Sequence, residues 1–329
     1  MKQERIFELE KTICNDYNNI AGIIVSKNNK KIYEKYFNDC LSESSIHVYS
    51  VTKSVTSILI GIAIDKGYIK SVDEKVLDFF PNYTVKRGEK TIYNITIRHL
   101  LTMTAPYKYK FAPYTKYFTS MDWVKSSLDL LGGKGEIGKF RYVPLLGPDI
   151  LTGILTKATG QTVLDFATEN LFSPLGISVS KNVIFHSKEE QFAFNKAKYV
   201  SGWVADPNGV NTAAWGLALT TEAMLKIGQL YLNKGQWNER QIVSSKWIEE
   251  STKEQSRWDI RNLSYGYLWW IGEDNGFAAM GDGGNIIYVN PNKNLVIAIA
   301  SVFIPRPKDR IELIKKYIEP IFEDNSIYG

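Results

Sequence analysis

From His47 to Gly67 the chain reads HVYSVTKSVTSILIGIAIDKG. Val55, Ile58, Leu59, Ile60, Ile62, Ala63 and Ile64 make this stretch apolar on nearly every face. A helix of that kind cannot lie on a surface and must be surrounded by protein. Gly67 closes the run as a glycine just beyond a helix end does. The stretch therefore predicts a fold with one helix in its interior.

At the start of that helix stand Ser50 and Lys53, a Ser-x-x-Lys pattern. Three helical residues advance about 4.5 Å and return to nearly the same face, so both side chains are aimed at one place. The helix N-terminus carries partial positive charge, which favours an alkoxide developing on Ser50. A buried lysine can lose its proton near neutrality. A fall from about 10.4 to about 7–8 amounts to roughly 4 kcal/mol and needs strong desolvation. The bland alternative is an N-capping serine with a solvated first-turn lysine. Ser178-Val179-Ser180-Lys181 matches the same pattern but follows Pro174 and Gly176, with no apolar helix behind it. Context separates the two matches.

A chain of 329 residues with 44% hydrophobic and 13% aromatic residues can bury a large core, as one domain or two lobes. A net charge of +5 without any dense Lys/Arg tract gives no reason to expect nucleic-acid binding. Cys14 and Cys40 leave one disulfide open but make no disulfide scaffold. MKQERIFELEK lacks the apolar centre of a signal peptide, and no apolar run is long enough to span a bilayer. The expectation is a cytoplasmic protein with no membrane association and no assigned oligomeric state.

Strand-rich segments lie at the two ends. Residues 2–14 read as helix. Ile20–Ser26 and Lys31–Phe37 read as strands joined by Lys27-Asn28-Asn29-Lys30, a hairpin signal because Asn tolerates positive φ. Tyr265–Ile271, Phe277–Met280, Asn285–Asn290 and Asn294–Phe303 read as later strands, with a helix over 307–322. Helical patterns fill the middle, at residues 96–103, 121–131, 150–159, 162–171, 220–233 and 244–251. The prediction is an α+β (α/β sandwich) fold. One antiparallel sheet is built from residues 1–46 and 265–329 and flanked by the terminal helices. A mainly helical region, 47–264, carries the nucleophile helix. Lys108–Phe118, with five aromatics among lysines, is either a lid, a partner surface or a loop that fills grooves of its own protein.

Other motifs carry less. Gly133–Gly138 matches G-x-G-x-x-G but follows a helix rather than a strand, so no dinucleotide site is expected. There is no G-x-S-x-G elbow and no H-E-x-x-H. The histidines His47, His99 and His186 are scattered, so neither a metal site nor a Ser-His-Asp triad is predicted, and no cofactor.

With Ser50 and Lys53 placed, the chain resembles the serine β-lactamase / penicillin-binding-protein superfamily, in its class C-like branch of esterases, amidases and DD-peptidase relatives. The resemblance runs through Val48–Ser54, His99–Thr104, Ile150–Gly160, Leu171–Ile177, Trp215–Thr220, Ile227–Leu232, Tyr265–Trp270 and Gly281–Asn285. It implies a β-lactamase/transpeptidase-like fold, with Ser50 as nucleophile and Lys53 as its partner. The second motif, Tyr-x-Asn, is matched by Tyr142-Val143-Pro144, which makes Tyr142 the implied phenolic acid/base and puts Pro144 where the Asn would be. The third motif, Lys-Thr-Gly, is matched by Ala279-Met280-Gly281 without its cation. Gly281 then marks the strand beside the site, and the Asp282 N–H joins that of Ser50 as an oxyanion hole. Tyr267, Trp269 and Trp270 either wall the acyl pocket or pack the core.

The functional expectation is a serine hydrolase forming a Ser50 acyl-enzyme on a small ester, amide or peptide. The alternative is a protein of the same fold that only binds a ligand or partner, a reading favoured by Pro144 and Asp282 and opposed by Ser50 and Lys53.

Overall fold

The computed structural model describes residues 2–323. Helix α1 (Lys2–Asp16) leads into the hairpin β1 (Ile20–Lys27) and β2 (Lys30–Tyr36), whose turn residues Asn28 and Asn29 adopt φ of 51° and 61°. The interior helix α2 (Val51–Asp65) follows. It is buried from Val51 to Ala63. Around it lie α3 (Ile97–Leu101), α4 (Trp123–Leu130), α5 (Asp149–Thr159) and α6 (Thr221–Leu232). The chain then builds β3 (Ser256–Trp258), β4 (Leu263–Tyr265), β5 (Trp270–Ile271), β6 (Phe277–Gly281), β7 (Asn285–Asn290) and β8 (Leu295–Ser301). Helix α7, residues 310–323 with a π-turn at Ile314–Ile318, comes last.

One eight-stranded antiparallel sheet has the order β2-β1-β8-β7-β6-β5-β4-β3. The two-residue period of a strand sorts its side chains between two cores. Ile24, Ile287, Val289, Val296 and Ala298 face the helical region. Ile23, Val25, Ile286, Ile297 and Ile299 face Leu9 and Ile13 of α1 and Leu313, Ile314 and Ile318 of α7. Each such side chain contributes about 1.5–3 kcal/mol when fully buried. Helix α6 lies close on the first face because Gly228 has no Cβ to meet Val296 and Ile287.

The helices start and stop where their caps are. Asp122, Thr162, Thr220 and Ser244 each accept a backbone N–H three residues on, and Gly160 ends α5 at φ 71°. Three expectations need correcting. Residues 265–271 are not one strand: Gly266 N donates to Trp269 O (2.8 Å) and Leu268 has φ 61°, so a tight turn separates β4 from β5. The sheet also extends below residue 265, because Ser256–Trp258 forms its edge within the stretch expected to be helical. A helix at Lys188–Lys196 was not foreseen, since its sequence, KEEQFAFNK, shows no apolar stripe. Cys14 and Cys40 are both free thiols.

Candidate active site

The pairing of Ser45–His47 with Ala218–Thr220 and the bond from Val48 N to Leu217 O (2.9 Å) deliver the chain to α2. Tyr49 then takes a left-handed conformation, φ 51°, which is unfavourable for a residue with a side chain. Its ring is held between His47 (centroids 3.8 Å apart) and Phe303 (5.2 Å). The turn leaves Ser50 at the mouth of the helix, half-buried rather than sealed off. Among the described residues the Ser50 N–H has no backbone acceptor.

One helical turn on, Lys53 is 2% exposed. Its Nζ lies 2.8 Å from Ser50 Oγ, 2.7 Å from Pro144 O and 2.9 Å from Ala214 O. Burial pulls the amine down to about 7, against the opposing pull of Asp282 and Asp149. A neutral amine has two N–H donors and one lone pair. The two carbonyls take the donors, and the lone pair is left facing the Ser50 hydroxyl. Pro144 has no polar side chain, yet its backbone oxygen gives Lys53 an acceptor.

The Tyr142 ring lies 5.7 Å from Lys53 Nζ, and its phenol interacts with Ser50. Stacking on Trp258 (6.0 Å) and contact with Trp270 (5.5 Å) fix the ring. The strand-like run carrying it is pinned by Arg141, whose N donates to Met103 O and whose guanidinium donates to the carbonyls of Tyr107 and Tyr109. Burial pushes the phenol up to about 12, so it holds its proton near neutrality.

Asp149 is a buried group that sequence reasoning missed. It opens α5, accepts from Ala213 N (2.8 Å) and from the Tyr117 hydroxyl, and burial pushes it up to about 7. It thereby holds the 213–214 loop whose carbonyl grips Lys53. The available signal was an acid heading an otherwise apolar helix, DILTGIL.

Strand β6 runs against the start of α2. A Cβ on Gly281 would collide with Val48 O and crowd Ser50 N, so only glycine lets the strand approach this closely. Asp282 begins the following turn with an exposed side chain. Asn285 Nδ2 donates to Asp282 O (2.9 Å). Beneath the turn Asn19 donates to Gly283 O (2.7 Å), and the buried Arg310 of α7 donates to Asn19 Oδ1 (2.6 Å). The turn next to Ser50 is therefore anchored by both ends of the chain.

Ser50, Lys53, Tyr142 and Gly281 converge, and Asp282 is the next residue along the chain. Trp269 does not. It is wholly buried, donates Nε1 to Tyr231 OH (3.0 Å) and packs on Tyr231 and Phe277, in the core. The turn before β5 sends the neighbouring Trp270 to the Tyr142 side instead. Tyr267 is also buried and accepts from Arg98. His47 is neutral, pulled down to about 3 by burial, and accepts from Gly216 N (2.8 Å), while His99 Nδ1 caps α3. Ser178 and Lys181 lie in a loop. The Lys108–Phe118 segment divides. Tyr117 is core, whereas Phe111 is 81% and Tyr114 40% exposed. Among the described residues no cluster of His, Cys, Asp or Glu is poised to hold a metal, and no helix is long and apolar enough to cross a membrane.

The beta-lactamase family model matches residues 17–314. The chain belongs to the beta-lactamase family. Among solved structures, the octameric penicillin-binding protein homologue from Pyrococcus abyssi superposes with a TM-score of 0.70 at 20% identity, covering 96% of this chain and 80% of that one. A family VIII carboxylesterase gives 0.71 at 14% identity, covering 96% of each chain. EstCE1, a hydrolase with promiscuous acyltransferase activity, gives 0.71 at 14% identity, covering 100% of this chain and 98% of that one. At these identities the superpositions show the shared fold. No curated protein matches the sequence significantly. At this site the Pro144 carbonyl accepts from Lys53, and Ala279, two residues before Gly281, is buried and apolar.

Proposed function

We propose that the chain is a serine hydrolase that acts by acyl transfer on a small ester, amide or peptide. The observation that carries this is the set of three contacts at Lys53 Nζ, which turns a buried amine into a base aimed at Ser50. Ser50 Oγ attacks the carbonyl carbon as its proton passes to neutral Lys53. The resulting oxyanion is held by the N–H groups of Ser50 and Asp282, a contribution of about 10²–10³ in rate per donor. As the tetrahedral intermediate collapses, Tyr142 gives its proton to the leaving group and regains one from protonated Lys53. Water then attacks the acyl-enzyme through the same groups in reverse.

Esters and simple amides suit the site better than β-lactams. The side-chain amide of the second motif and the cation of the third, which would hold an amide and a carboxylate, are replaced by Pro144 and Ala279. The pure binding reading loses the support of Pro144, whose carbonyl supplies the needed contact. The test is labelling with a fluorophosphonate, adduct location by peptide mass mapping, and turnover of p-nitrophenyl butyrate. The expected result is one adduct on Ser50, with both adduct and turnover lost in Ser50→Ala. A folded protein with no adduct and no turnover overturns the proposal in favour of the binder.

A further inference from the structure

We propose that this site selects substrates bearing a positive charge, an ammonium near the scissile acyl group, and that Asp282 is the residue that determines this preference; the inference rests on the hydrolase reading of Ser50. The side chain of Asp282 is exposed and directly follows Gly281, whose backbone abuts Ser50 N. Among the described residues its carboxylate has no hydrogen bond or ion pair. Its charge reaches Tyr49, Tyr114 and Tyr142, holding all three phenols further towards their protonated forms. Tyr49 directly precedes Ser50, the Tyr142 phenol interacts with Ser50, and the Tyr49 ring packs on the exposed Phe303.

Aromatic faces with an unpaired carboxylate form the chemistry that takes an alkylammonium group. Ala279, at the position of the third-motif cation, is wholly buried and apolar. Lys53 is committed at the floor of the site to Ser50 and two carbonyls. The guanidinium of Arg141 is turned onto the Tyr107 and Tyr109 carbonyls. A substrate carboxylate placed beside Asp282 meets a like charge, which disfavours anions at that side of the site.

The test compares p-nitrophenyl esters matched in shape: 4-trimethylammoniobutanoate, its neutral isostere 5,5-dimethylhexanoate, and the anionic adipate monoester. In the wild-type protein at low salt, kcat/KM is expected to favour the cation over the isostere by about fivefold and to disfavour the anion by a similar factor, the range of a partly solvated charge pair. Raised salt compresses both ratios. Asp282→Asn is expected to bring both ratios near one. They are read within one protein, so a general loss of rate from a disturbed backbone cancels. Ratios unchanged by the substitution, or an anionic preference in the wild type, overturn the proposal. Calorimetric titration of Ser50→Ala with the corresponding carboxamides reads the same charge preference without turnover. A preference there with no ester hydrolysis by the wild type would keep the cation site and reject the hydrolase reading. No preference in the titration overturns the cation site itself.

Discussion

The first turn of α2 and the loops that close around it are built in opposite ways. Ser50 and Lys53 are neighbours on one helix, and their contact follows from helical geometry alone. The other two contacts of Lys53 come from Pro144 and Ala214, remote in the chain, and both are backbone carbonyls. A carbonyl has no residue identity, so its position is set by whatever holds its loop: Arg141 for one, Asp149 with Tyr117 for the other. The Ser50–Lys53 pair is thus a local feature and the setting of its amine a long-range one.

That contrast can be broken by experiment, most sharply at Lys53. Lys53→Met keeps the volume and removes the base, so ester turnover should fall at least about 10³-fold. The melting temperature should hold or rise, because a desolvated amine is replaced by an apolar chain. Gly281→Ala should follow, with a loss of about 10² in kcat as the strand is pushed off Ser50, and about 1–3 kcal/mol of stability by denaturant titration.

Asp149→Asn probes the remote half of the arrangement. Turnover needs neutral Lys53, so the wild-type rate should rise with pH through about 7. The Asp149 charge raises the Lys53 value, so its removal should move that limb to lower pH. Stability gives a second reading. Burial holds Asp149 at about 7, so between about 4 and 7 the folded chain binds a proton that the unfolded chain releases, and stability falls as pH rises. Lys53 has the opposite effect from about 7 to about 10.5, where the unfolded chain binds more protons and stability rises with pH. Asp149→Asn should flatten the first slope and Lys53→Met the second, in melting curves taken across pH. The smallest effect is expected for Trp269→Phe, with kcat/KM within about twofold of wild type and about 1–2 kcal/mol of stability lost with the Tyr231 contact.

The same contrast explains what could be read in advance. The interior helix, the Asn28-Asn29 hairpin and the sheet drawn from both termini are written in periodicity and turn chemistry, which act over a few residues. Ser50 and Lys53 share that legibility. Tyr142 and Gly281 were reached through order along the chain and resemblance, not through any local rule. Of the two readings of Trp269, acyl-pocket wall or core, the structure shows the core, because the Gly266–Trp269 turn sends Trp270 to the Tyr142 side instead. Asp149 escaped notice because its role appears only when residues 117, 149 and 213 are brought together in space.

The clamp of Asn19 and Arg310 on Gly283 ties the turn beside Ser50 to two segments far apart in the sequence. A molecule in which α7 has come away from the sheet would keep Ser50 and Lys53 together on α2 but lose the brace under the turn beside them. Local melting of α7 should therefore loosen the turn beside Ser50 while the helix that carries Ser50 and Lys53 stays intact.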